Sequence, residues 1–281
     1  MRKYFFFDQG IIDPQGMDNA ELCINPVIKD TEHSPLFAEG LFETPPRPAE
    51  VRIDNGYPNI IYDEQLSLYR CYYTAFSHDQ NSAETPRPLR ATRDYIPESS
   101  RITSLFYAES NDGIHWVKPS LHKVDLGDGG ENNMLMHYAH GTGVMLDGAE
   151  TDPTKRYKLV TKVEYAGGYN YMAVSWSADG LSWSDMVKWP KYNPPADSHN
   201  FIFRDKKDGK FKVITRTWQN GLRLSSICES SDFINWSEPR EILRGDGFGD
   251  QIYSMPVILY EGIYLGFASI FHEGNRSDDN F

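Results

Sequence analysis

A chain of 281 residues with a formal charge of −12 repels a phosphate backbone, and no basic patch offsets that charge, so nucleic acid is excluded as the expected partner. The 17 Tyr, 15 Phe and 6 Trp favour strands and surfaces that stack flat ligands, which points to one large all-β domain. Three cysteines, Cys23, Cys71 and Cys228, match no metal or CxxC spacing, which argues against a zinc site or a disulfide framework and leaves buried thiols.

The chain opens with the charge of a signal peptide, but Asp8 interrupts the apolar run before an h-region forms, so no cleaved signal is expected. No other run approaches the roughly 20 apolar residues of a spanning helix. The expected location is cytoplasmic without membrane contact, or secreted if an N-terminal signal is missing from this form. Residues 1–53 read as an extended arm, Pro-rich at 44–48.

From residue 54 the chain repeats. Residues 110–116, 177–183 and 230–236 each read Ser-x-Asp, then Gly or Phe, then two residues and Trp. An alternating strand-like run precedes each, over 104–109, 171–176 and 224–229. The motif reads as a hairpin in which Asp starts the turn, Gly takes the positive φ in two of three copies, and Trp packs between neighbouring units. Upstream lie second strands at 68–76, 156–165 and 210–218, and first strands ending in acidic turn residues Asp63, Asp147, Asp205 and, in a fourth unit, Glu261. There Asp caps backbone donors, a turn role rather than a catalytic one.

Four antiparallel strands per repeat without helical periodicity predict propeller blades over about 54–120, 138–190 and 197–243, with a partial blade over 250–281. That fourth unit holds only two strands, 252–260 and 263–271. The repeats therefore do not close a ring, and either the chain is a partial form or the arm supplies missing strands. Residues 84–93 and 125–133 read as long loops.

The blade rhythm over about 50–271, with the runs at 197–205 and 260–266, resembles the five-bladed β-propeller glycosidases, the group of glycoside hydrolase families 43 and 32, and in particular uncharacterised members that look like family 32. The resemblance implies inner strands that line a central channel and leading ends that floor a sugar pocket. It further implies paired carboxylates, one protonating the leaving oxygen while the other attacks or activates water.

At those positions stand Asp54 and Asn55 on blade 1, His137 and His140 on blade 2, Asp197, His199 and Asn200 on blade 3, and Asp250, Gln251 and Tyr253 on blade 4. Asp54 is the expected base or nucleophile, Asp197 the general acid and Asp250 a third carboxylate for either role. Asn55, His140, His199, Asn200 and Tyr253 are expected at the substrate, with Trp218 stacking on a pyranose and Arg216 and Arg223 holding an acidic substituent. The family's Asp-Pro-Asn-Gly and Arg-Asp-Pro motifs are absent, as is a Glu heading the inner strand of blade 3. Asp152-Pro153 falls in an outer turn.

The expected activity is hydrolysis of an oligosaccharide or polysaccharide, and the alternative is a non-catalytic propeller that binds carbohydrate or protein. Sialidase-like chemistry finds a partial set in Arg216, Arg223 and Tyr253. No cofactor is required, although calcium is an option where oxygen ligands converge in the hub.

Overall fold

The computed structural model describes residues 26, 28–36, 38–53, 55–90, 98–165 and 167–273. In the first blade, β1 (Asn59–Asp63), β2 (Leu68–His78), β3 (Ile102–Ser110) and β4 (Trp116–Val117) pair in sequence order. Two short helices follow β2: α1 (Gln80–Glu84) ends at the first residue of the stretch 84–93 read as a long loop, and α2 (Arg87–Arg90) lies within it. A further strand, β5 (Met134–His137), returns to β3 beyond β4, so the outer edge of this blade is made in two pieces. His137, read as heading blade 2, belongs to this edge. Tyr138, at φ +62, then turns the chain into the next blade.

The second blade orders β6 (Ala139–Leu146), β7 (Tyr157–Glu164), β8 (Asn170–Ser177) and β9 (Val187–Lys188). The third orders β10 (Phe201–Arg204), β11 (Phe211–Gln219), β12 (Leu222–Ser230) and β13 (Arg240–Arg244). In the fourth unit each expected strand breaks in two, giving β14 (Gln251–Ser254), β15 (Val257–Tyr260), β16 (Ile263–Gly266) and β17 (Ser269–Phe271). β15 pairs with β16 and β14 with β17. Pro256, which has no N–H to give a ladder, sits at the break, and its carbonyl accepts the Phe267 N–H at 2.9 Å.

The three Ser-x-Asp turns are built alike. Asp112 Oδ1 accepts the N–H groups of Ile114 and His115, and Asp179 and Asp232 make the same pair of bonds to the residues two and three ahead. Phe233 takes the left-handed conformation (φ +68) that Gly takes in the other copies. Its ring, buried against Phe211 and Trp236, offsets that strain.

Blades join through cores of alternating apolar residues. Trp236 stacks on Trp189 at 4.9 Å between blades 3 and 2, and Trp183 meets Tyr72 of blade 1 edge-on at 6.3 Å. Trp116 instead packs in the cluster containing Ala49, on the face of blade 1 met by the preceding segment. There the Val51 N–H bonds the Phe76 carbonyl, and fully buried Glu50 pairs with Lys118 at 2.8 Å. Cys71 and Cys228 are buried free thiols whose pKa burial pushes up to about 12.

The acidic turn residues do more than cap. Asp63 accepts from the Gln65 N–H and also from Tyr157 Oη and Arg156 of the following blade. Asp147 caps Ala149 and pairs with Arg204 of the third blade at 3.0 Å. Asp205 caps Lys207 and accepts from Tyr264 Oη of the fourth unit at 2.7 Å. Each first-strand turn therefore fastens its blade to the next one along the chain.

Candidate functional site

Sequence and sterics draw the inner strands together at their leading ends. Gly141 and Gly143 lie against the backbone of 198–200, where a Cβ on either would overlap the Ser198 or Asn200 carbonyl. The Asn200 N–H and side-chain amide both donate to the Gly141 carbonyl at 2.8 Å. This close approach holds His140 and His199 on adjoining blades at one rim.

Asn59 ties in blade 1. Its Nδ2 donates to the Thr142 carbonyl at 2.8 Å and to the Tyr57 carbonyl at 3.0 Å, while its Oδ1 accepts from the Val144 N–H at 3.1 Å and His199 Nε2 at 3.0 Å. An oxygen acceptor at that distance puts the His199 proton on Nε2. Burial brings the His199 pKa down to about 4, so the ring is neutral. Asn59, Ile60, Tyr62, Val144 and Phe201 line part of an open cavity of about 350 Å³ between the first strands of the three blades.

The Tyr57 ring stacks on His199 at 5.8 Å and on His140 at 6.3 Å, and its hydroxyl meets that of Tyr253 at 3.3 Å. Four blades therefore contribute rings to one cluster. His140 Nδ1 donates to Glu164 Oε2 at 2.5 Å, and this bond brings the Glu164 carboxyl down to about 2 against the opposing effect of burial. Lys162 and Arg101 lie 3.9 and 4.0 Å from the same carboxylate.

Asp197, 32% exposed, accepts from Arg216 Nε at 2.8 Å, and Arg216 Nη2 also donates to the Asp197 carbonyl at 2.6 Å. Burial would raise the Asp197 pKa, but the charge and hydrogen bond of Arg216 outweigh it and hold the carboxyl below its ordinary value. The Arg216 guanidinium covers the Tyr253 ring at 4.7 Å, and its buried Nη1 has no hydrogen-bond partner. Arg223 stacks on Trp218 at 4.7 Å and on Phe271 at 3.9 Å, close enough to Arg216 for the like charge to add to burial in lowering its pKa.

Of the expected site residues, the structure brings together His140, Asp197, His199, Arg216 and Tyr253, with Trp218 and Arg223 beside them. Asp54 lies outside the described residues. Asn55 is exposed at φ +48 and joins none of the contacts of the rim. Asn200 is fully buried, with its Oδ1 taken by Thr215 at 2.6 Å and its amide by three carbonyls, so it has no face left for a ligand. Asp250 pairs with His272 at 2.9 Å, outside the contacts that join Asp197 to Arg216 and His140 to Glu164.

Tyr57, Asn59, Lys162 and Glu164 were not among the residues expected from the sequence: Tyr57 and Asn59 follow Asp54 and Asn55 at the start of blade 1, and Lys162 and Glu164 lie at the far end of β7. Glu164 ends β7 opposite Tyr138, whose carbonyl accepts its N–H, a contact that strand periodicity does not reveal. Among the described residues no group of three or more His, Cys, Asp and Glu is placed to hold a metal, and no helix is long and apolar enough to cross a membrane.

No protein-family model matches the sequence, and no curated protein matches it. Solved structures do match in shape. A β-1,2-mannobiose phosphorylase from Listeria innocua, solved with β-1,2-mannobiose, superposes with a TM-score of 0.52 and 14% identity, covering 87% of this chain and 75% of that one. An N-acetylgalactosamine deacetylase from F. plautii, in complex with blood group B trisaccharide, gives 0.50 and 14%, covering 72% and 57%. A thermostable family-43 glycoside hydrolase gives 0.48 and 15%, covering 77% and 64%. The chain thus spans little more than half the length of the deacetylase and about three quarters of the phosphorylase. The likeness to propeller glycosidases read from the repeats holds for the fold: the chain is an all-β propeller of four-stranded antiparallel blades, with three blades and a shorter fourth unit among the described residues.

Proposed function

We propose that this chain belongs to a carbohydrate-active enzyme that binds an oligosaccharide at the hub rim and hydrolyses one of its glycosidic bonds. The observation that carries the reading is the convergence of Tyr57, His140, Asp197, His199, Arg216 and Tyr253 from four blades, with the partly exposed Asp197 carboxylate beside aromatic rings. Rings and charged hydrogen-bonding groups on one rim suit a ligand with apolar C–H faces and many hydroxyls. Solved propellers of the same fold that hold a disaccharide and a trisaccharide support a sugar ligand here.

Glycosidic cleavage needs one ionised and one protonated carboxyl. Because Arg216 keeps Asp197 ionised, Asp197 fits the base or nucleophile role better than the general-acid role expected from its blade position. Asp54, three residues ahead of Tyr57 in the sequence, is the proposed proton donor.

One observation favours the binding-only alternative. The two carboxylates of the rim among the described residues, Asp197 and Glu164, are both held below their ordinary pKa, which leaves neither as an acid at neutral pH.

The test is a screen of aryl glycosides and plant and algal oligosaccharides, with and without inorganic phosphate, reading released sugar. Hydrolysis should fall by about a hundredfold or more in Asp197→Asn and in Asp54→Asn. Cleavage unchanged in both variants overturns the assignment. Binding without cleavage selects the binding module, and cleavage that requires phosphate selects phosphorolysis.

A further inference from the structure

Beside the rim, on blade 2, lies a run of tyrosines that the hub chemistry does not use. Tyr138 packs its ring on Tyr165 at 4.7 Å. Tyr165 in turn lies 6.4 Å from Tyr169 and 6.5 Å from Tyr171, and those two are 5.6 Å apart. Tyr165 and Tyr169 close the hairpin between β7 and β8, the Tyr165 N–H donating to the Tyr169 carbonyl at 3.1 Å. They remain 39% and 59% exposed. Lys188 sits over Tyr169 and Tyr171 at 5.7 and 5.4 Å and fixes their rings from one side.

The run is continuous with the site. The Tyr138 carbonyl accepts the Glu164 N–H at 3.0 Å, and the Glu164 carboxylate holds His140. A ligand that leaves the rim past His140 therefore meets Tyr138 and then the exposed rings.

We propose that this tyrosine path is an accessory carbohydrate subsite, which binds sugar units of a long chain whose neighbouring unit occupies the hub. The inference rests on reading the hub as a carbohydrate site and names its substrate as a polysaccharide or long oligosaccharide rather than a disaccharide. Two features point to sugar. Every ring in the path carries a hydroxyl, so each offers an apolar face to C–H groups and a hydrogen-bonding edge to hydroxyls. The rings are also tilted by 40° to 52° between most neighbours, so they present separate faces to successive units in place of one flat apolar patch.

The test uses the full chain with soluble xylan, mannan, arabinan and levan and with the disaccharides of the same sugars, comparing wild type, Tyr169→Ala, Tyr165→Ala/Tyr169→Ala and Asp197→Asn by affinity electrophoresis and calorimetry. Both rings are exposed, so the variants should fold, which circular dichroism checks. Loss of the two rings should weaken polysaccharide binding about tenfold and leave disaccharide binding unchanged.

Equal polysaccharide affinity in wild type and the double variant overturns the proposal, whatever the hub does. Polysaccharide binding that falls in the tyrosine variants, survives in Asp197→Asn and is accompanied by no cleavage even in wild type keeps the path and removes the hydrolase reading. Failure to bind any of the four polysaccharides, or a tyrosine-dependent self-association in sedimentation, also overturns it, the latter by making the rings a protein contact.

Discussion

Arg216 grips Asp197 at two points, donating from Nε to the carboxylate at 2.8 Å and from Nη2 to the main-chain carbonyl of the same residue at 2.6 Å. The second bond fixes where the carboxylate can swing, and the first keeps it charged. Replacing Arg216 with Met would remove the opposing cation while leaving the burial that raises the Asp197 pKa. The acid limb of the pH profile for hydrolysis or sugar binding should therefore move to higher pH. Profiles of wild type and Arg216→Met check this, and an unmoved limb would separate that limb from Asp197.

His199 gives a pH dependence of the opposite origin. Its folded pKa of about 4 lies below the ordinary value of about 6.5, so the unfolded chain binds the extra proton between those limits. Its contribution is complete above about pH 6.5 and is lost as pH falls towards about 4, amounting to about 3 kcal/mol. Urea midpoints measured across that window should fall in wild type and stay flatter in His199→Gln.

Asn59 joins three blades with one amide. Asn59→Ala would leave buried donors and acceptors of Thr142, Val144 and His199 unpaired, at a cost of about 1–3 kcal/mol or more. Its unfolding midpoint, read beside the activity of the folded fraction, should show both stability and hub function reduced.

At Gly143 the space beside the backbone is already filled by the Asn200 carbonyl. Gly143→Ala should cost about 1–3 kcal/mol by forcing blades 2 and 3 apart. Gly148, whose added Cβ would meet nothing within 4 Å, is the control and should tolerate Ala with little change. Thermal or urea unfolding of the two variants makes the comparison.

Much of the scaffold was legible because its signals are local. A Ser-x-Asp turn caps itself within a few residues, so Asp112, Asp179 and Asp232 could be read one hairpin at a time. The shared rim of His140 and His199 was legible from their matching positions in successive repeats. What stayed hidden depends on contacts between repeats. Strand periodicity does not tell which residue of the next blade faces Asp63, so its reach to Arg156 and Tyr157 could not be read from it. Nor does it distinguish Asn200, consumed by carbonyls and Thr215, from a polar residue that faces the channel. Pro256 was the readable sign that the fourth unit's strands would break, but its effect depends on the pairing partner.

The fastening of each blade to its successor has a direction. Asp63, Asp147 and Asp205 all find a cross-blade donor farther along the chain. A sheet newly formed from the N-terminal side thus carries a corner carboxylate whose counterpart has not yet been laid down. Each corner is therefore complete only with the following blade in place, so a chain cut after any of these blades would leave that blade's carboxylate without its cross-blade donor.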